Sequence, residues 1–112
     1  MTLTVTTETP AEGVTVLRLS GRIDAAAAAD FEAILLPRAE DPAVTRIVLE
    51  GAGMDYIASA GLRAILRAVK ALTARKAKLY GAGLLPSVTS VLKMTGFLPF
   101  IELRPTVDEC LL

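Results

Sequence analysis

"TRIVLEGAGMDYIASAGLRAIL", Thr45 to Leu66, decides how this chain is read. Its first part, Thr45 to Gly51, centres on Ile47-Val48-Leu49. A continuous short apolar run suits a strand buried on both faces, as in a parallel sheet. Ala52 to Ala58 is expected to be the connecting loop. From Ala60 onward, Leu62, Ile65, Leu66, Val69 and Leu72 recur at helical spacing, with Arg63, Arg67 and Lys70 on another face. Ala58, Ser59, Ala60 and Gly61 at the junction are all small, and only Ser59 carries a reactive group.

Outward from this unit, the same alternation continues. On the N-terminal side, Leu3 to Thr7 alternates apolar residues with Thr and reads as an edge strand. Glu8 to Gly13 reads as a turn, and Val14 to Leu19 as a second strand in a hairpin with the first. "SGRID" (Ser20 to Asp24) is expected to break that strand. Asp24 precedes five alanines, Ala25 to Ala29, and is a good N-cap for a helix with Phe31, Ile34 and Leu35 as its apolar stripe. Pro37 is expected to end or kink it, since proline lacks the amide proton and crowds the preceding turn. On the C-terminal side, Ala77 to Ala82 reads as a strand. Pro86 opens a third helix, with Val88, Val91 and Leu92 facing inward and Gly96 as its C-terminal cap. Phe100 to Leu103 reads as a last short strand, and Thr106 to Leu112 as a final helical turn. The order β-β-α-β-α-β-α-β(-α) predicts an α/β fold with a mainly parallel sheet of four to five strands.

Composition narrows the chemistry. The chain has 112 residues, which suits one domain over 1–112. Just over half of them are hydrophobic, and the formal net charge is zero, so nothing points to direct nucleic-acid binding. The N-terminal residues lack a basic region and an apolar signal core. No apolar run approaches the ~20 residues needed to span a bilayer. A cytoplasmic protein without membrane insertion is expected. The single cysteine, Cys110, has no internal partner, in keeping with a reducing compartment. There is no histidine, which removes Ser-His-Asp and Cys-His catalysis and zinc sites built from His and Cys. No tight Asp/Glu cluster suggests a magnesium site. Gly81-Ala82-Gly83 lacks the rest of a dinucleotide fingerprint and reads as a strand-to-helix turn. A non-enzyme without cofactors is expected.

Two readings of Ser59 stand side by side. As a helix N-cap, its hydroxyl would accept from a following amide. As a modification site, it would carry a phosphate that gains from the same free amides and helix dipole. Asp24 likewise reads as an N-cap. The Arg63, Arg67 and Lys70 face reads as solvated, or as a place where Arg63, one turn from Ser59, meets an acidic partner or a phosphate.

Three segments together resemble STAS domains, specifically the small stand-alone anti-sigma factor antagonists of bacterial partner-switching systems. "VTVLRLSGRIDAAAAADFE" is similar to the family's strand, Gly-x-[Leu/Ile]-Asp and first helix. "TRIVLEGAGMDYIASAGLRAIL" is similar to its central strand and signature, aromatic-[Ile/Met]-[Asp/Ser]-Ser-[Ser/Ala]-Gly-Leu. "AKLYGAGLLPSVTSVLKMTGFLPFIEL" is similar to its strand, proline-led helix, Leu-x-x-[Ser/Thr]-Gly and final strand. The resemblance implies a STAS fold and a phosphorylation-switched binding module. Unphosphorylated, it would sequester an anti-sigma factor that is also a serine kinase. That kinase, using its own ATP, would phosphorylate Ser59 and release it, and a metal-dependent phosphatase of the PP2C type would restore it. The resemblance places the partner surface at Asp24, Ala58, Ala60, Gly61 and Arg63, on a monomer or weak dimer.

The chain departs from the pattern at named positions. Ala58 stands where the family usually has Asp or Ser, a residue able to orient the acceptor or touch the kinase. Ala25 to Ala29 replaces a stretch that often carries Thr, Ala60 a frequent second Ser, and Glu50 a frequent Asp. Asp55 lies too early to replace the missing acid. Ala58 motivates an alternative, an unphosphorylated STAS scaffold in a signalling assembly or a lipid or anion transport system.

Overall fold

The structure, a computed structural model, describes residues 3–112. Met1 and Thr2, part of the N-terminal stretch read above for a leader, lie outside them. Strands β1 (Leu3–Ala11), β2 (Val14–Ile23), β3 (Arg46–Ile57), β4 (Lys78–Ala82) and β5 (Ile101–Arg104) form one sheet in the order β1-β2-β3-β4-β5. β1 pairs antiparallel with β2, and every other pair is parallel. Helices α1 (Ala25–Glu40), α2 (Ser59–Ala74) and α3 (Pro86–Met94) are the crossovers, and a short α4 (Val107–Cys110) closes the chain. The expected element order and mainly parallel sheet are found.

The main core forms where the three crossover helices meet one sheet face. Leu17, Leu19 and Ile23 of β2 and Ile47, Leu49 and Ile57 of β3 pack there with Leu79 and Ile101. Phe31 and Leu35 of α1, Leu62, Ile65 and Leu72 of α2, and Val88 and Leu92 of α3 cover them. A smaller cluster lies on the other face, where Val16, Val48, Tyr80 and Ala82 are capped by Cys110 and Val107 of α4. Burial raises the Cys110 thiol above its ordinary range. Nearby, Arg46 stacks on the Tyr80 ring at 5.2 Å and donates to the Cys110 carbonyl at 2.6 Å. The central apolar run of β3 is thus buried on both faces, as its composition predicts.

Four boundaries differ clearly from expectation, and a smaller shift places Phe100 at the end of a short helical turn, so that β5 starts at Ile101. The turn read at Glu8 to Gly13 narrows to Glu12-Gly13, because β1 continues to Ala11 through a bulge. Gly13 takes φ +78° there, a conformation that favours glycine. Its carbonyl accepts from the Thr45 and Arg46 amides at 2.8 and 3.1 Å, which docks the hairpin on the start of β3.

β2 runs on through Ser20 to Ile23, and of the loop expected at Ala52 to Ala58 only Ala58 lies outside β3. The two strands continue together to a last pair, Ile23 with Ile57. They stay in register through two bulges in β3. Between the pairs Arg18–Glu50 and Ser20–Gly53, and again between Gly21–Met54 and Arg22–Tyr56, β3 uses one residue more than β2. Gly51, Ala52 and Gly53 have little intrinsic strand preference, so cross-strand pairing overrides local propensity here.

Pro37 does not end α1. Leu35 and Ala39, on either side, are buried in the core, and the helix continues past Pro37 to Glu40. Arg38 also donates from Nη1 to the Ile34 carbonyl at 2.8 Å. α3 begins with Pro86 at its first turn, and Gly96 follows it with φ +79°, both as expected.

Candidate functional site

β2 and β3 end side by side, and each launches a helix. Ile23 is followed by Asp24 and α1, Ile57 by Ala58 and α2. The two exits are joined, because the Ala58 amide donates to the Ile23 carbonyl at 2.7 Å. The carboxyl ends of adjacent parallel strands are where α/β sheets commonly place their sites.

The starts of the two helices differ. Asp24 is the N-cap of α1, and its Oδ1 accepts from the Ala27 amide at 2.8 Å. That matches the cap expected for it. The N-cap of α2 is Ala58, extended at φ −85° and ψ 167°, with no side-chain cap. The first α2 bond runs from the Leu62 amide to the Ala58 carbonyl at 3.1 Å. The Ser59, Ala60 and Gly61 amides thus precede the intrahelical ladder, as at any helix start.

The capping reading of Ser59 is therefore corrected. The helix starts one residue earlier than the periodicity suggests, so Ser59 is its first helical residue and Ala58 holds the cap position. A cap acts from an extended backbone just outside the helix, which Ser59 does not have. Ser59 is exposed, and among the described residues its hydroxyl has no hydrogen-bond partner.

The neighbouring candidates fall into place around it. Ala58 and Ala60 are half-buried. Gly61 is buried, and a Cβ there would stand 2.7 Å from Ile23 Cγ2 and 2.9 Å from Ile57 Cγ1. Glycine is required because α2 starts pressed against both strand ends. Arg63 is exposed, four residues on from Ser59, and makes no ion pair among the described residues. Arg67 instead bonds Glu32 of α1 and so ties the two helices together. Among the described residues, the cationic face is thus divided between Arg67, which ties the helices, and Arg63 and Lys70, which make no ion pair. Glu50 is held back from the site, with Oε2 accepting from the Ala52 amide at 2.8 Å and Oε1 3.8 Å from Arg18.

Two contacts at the site escape a reading by local pattern. Arg22 stacks over the exposed Tyr56 ring at 4.8 Å, placing a cation and an aromatic on the far side of the same strand ends. Their pairing follows from the second bulge, which the sequence does not announce. The second contact is a bond from Ser87 Oγ to the Asp55 carbonyl at 2.9 Å. It joins residues far apart in sequence. Among the described residues, no three His, Cys, Asp or Glu side chains gather as a metal site, and no helix is long and apolar enough to cross a membrane.

The comparisons agree with this geometry. The STAS domain family matches residues 6–110. A Bordetella bronchiseptica protein, BtrV, named as a candidate anti-sigma factor antagonist, is 36% identical over 87 residues, covering 78% of this chain and 74% of its own. The anti-sigma factor antagonist SpoIIAA in its unphosphorylated form superposes with a TM-score of 0.80 at 23% identity, over 96% of this chain and 93% of that one. The Bacillus cell fate determinant SpoIIAA in its phosphorylated form gives 0.78 at 21%, over 96% of each chain. With almost its whole length matched, this chain belongs to the STAS domain family, among the anti-sigma factor antagonists.

Proposed function

We propose that this chain acts as a single STAS domain, a cytoplasmic, non-enzymatic anti-sigma factor antagonist switched at Ser59. The observation that carries the reading is an exposed serine at the uncapped start of α2, beside the capped start of α1. The partner is an anti-sigma factor that is also a serine kinase. Asp24, Ala58, Ala60 and Arg63 form the surface it covers, and the buried Gly61 acts from beneath by letting α2 start against the strand ends. The Ser59 hydroxyl attacks the γ-phosphorus of ATP held by the partner, ADP leaves, and the hydroxyl proton passes to a base of the kinase.

The phosphate adds about −1.5 to −2 charge to a surface built of small residues. The free amides of α2 and its positive end tolerate that charge within the antagonist. The docked partner meets it as repulsion and desolvation, and leaves. A PP2C-type phosphatase then returns the hydroxyl.

Capture of a partner from cell extract by the wild type but not by Ser59→Asp tests the switch and identifies the partner. Mass spectrometry after incubation with that partner and ATP then locates the phosphate. Equal capture by both forms, with no phosphate on Ser59, overturns the proposal and leaves the unphosphorylated scaffold suggested by Ala58.

A further inference from the structure

The segment leading to Ser59 is held unequally on its two sides. β2 pairs with β3 as far as Ile57, whereas β4 stops at Ala82, the partner of Glu50. From Gly51 to Ile57, β3 therefore lacks a second neighbouring strand. α3 and the turn before it take that place. Leu84 packs against Gly51, with its Cδ2 2.7 Å from where a Cβ would stand. Ser87, in the first turn of α3, donates its hydroxyl to the Asp55 carbonyl at 2.9 Å.

Asp55 is the residue that needs such a partner. It is the extra residue of the second bulge, lying between Met54, paired with Gly21, and Tyr56, paired with Arg22. A bulged residue is left out of the ladder, so its carbonyl has no strand partner there. Pro86 sets the backbone just before Ser87 and so helps aim its hydroxyl. Three residues after Asp55, the Ala58 amide is bonded to Ile23 on the opposite flank.

We infer that Ser87 is a positioning residue. Its hydroxyl fixes the bulge at Asp55 and thereby the backbone that presents Ser59. The inference deepens the reading of Ser59 as phosphate acceptor and rests on it for its functional meaning. The test needs only the free protein.

Hydrogen exchange of single amides is followed by NMR in the wild type, Ser87→Ala and Ser87→Thr. With the tether removed, the Ala58 amide exchanges about fivefold faster, the scale of one net hydrogen bond. Ser87→Thr, which keeps the donor, stays within about twofold of wild type. The Ala27 amide, held by Asp24 in α1, serves as the control and stays within about twofold in both variants. Unchanged exchange at Ala58 in Ser87→Ala overturns the inference, as does equal acceleration at Ala58 and Ala27. Loss of protection at Ala58 that Ser87→Thr fails to restore also overturns it. A Ser59 that never accepts phosphate defeats the functional reading while leaving these exchange results standing, so the two failures are distinguishable.

Discussion

Helices α1 and α2 leave adjacent strands side by side, yet one start is closed and the other open. Asp24 satisfies an amide of α1 with its own carboxylate. α2 has alanine in the equivalent place and an exposed serine just inside. The difference separates a start closed for stability from one that, in the function proposed above, serves regulation. The closed start fixes the end of β2 and the beginning of α1. The open start leaves donors and dipole available to an incoming group, at a point anchored by Ile23 and Gly61.

The largest disturbance of this pair comes from Gly61. In Gly61→Val the side chain enters space held by Ile23 and Ile57. Urea unfolding is expected to show a loss of about 3 kcal/mol, the upper range for overpacking. A loss below about 1 kcal/mol means that the helix start can slide away from the strands.

Ser59→Asp is next, and acts on binding. Affinity for the captured anti-sigma partner, read by calorimetry, is expected to fall about 100-fold, or about 2.7 kcal/mol. An unchanged affinity removes the switch and favours the scaffold.

Third, Asp24→Ala is expected to cost about 1 kcal/mol of stability through the lost cap. Ser59→Ala, which removes no cap, stays within about 0.5 kcal/mol. Paired denaturant titrations check this contrast directly, and equal losses erase the difference between the two starts.

The smallest effect comes from closing the open start. Ala58→Asp places an acceptor at the cap of α2 and is expected to stabilise the protein by about 0.5–1 kcal/mol, seen as a raised thermal midpoint. No gain would show that α2 is already satisfied.

Much of this was legible in the sequence, for identifiable reasons. Strong periodicity at Leu62, Ile65, Val69 and Leu72 and the double-sided burial of Ile47 to Leu49 give the alternating α/β order. Asp24 reads correctly because capping depends on residues adjacent in sequence. The errors fall where non-local pairing wins. Ala52-Gly53 and Ser20-Gly21 look like breaks, yet become strand because each segment offers the other a ladder. Pro37 looks like a stop, yet the burial of Leu35 and Ala39 outweighs one lost amide bond. The role expected of Ser59 as a cap depended on a boundary shift of one residue, which periodicity does not resolve. Ser87 was invisible as a site residue, since nothing local links it to Asp55.

The strand order has a consequence for how the protein assembles. Because the sheet follows the chain, every strand is laid beside the one made just before it. Asp24, Ser59, Gly61 and Arg63 all lie in the part that ends with α2 at Ala74. The contacts that join these residues span whole crossovers, as where the Ala58 amide meets the Ile23 carbonyl, so they are non-local pairings of the kind that close more slowly than a lone helix or hairpin. β4, α3 and β5 come afterwards, and the last of the site's adjustments, the Ser87 hydroxyl reaching back to Asp55, waits for them.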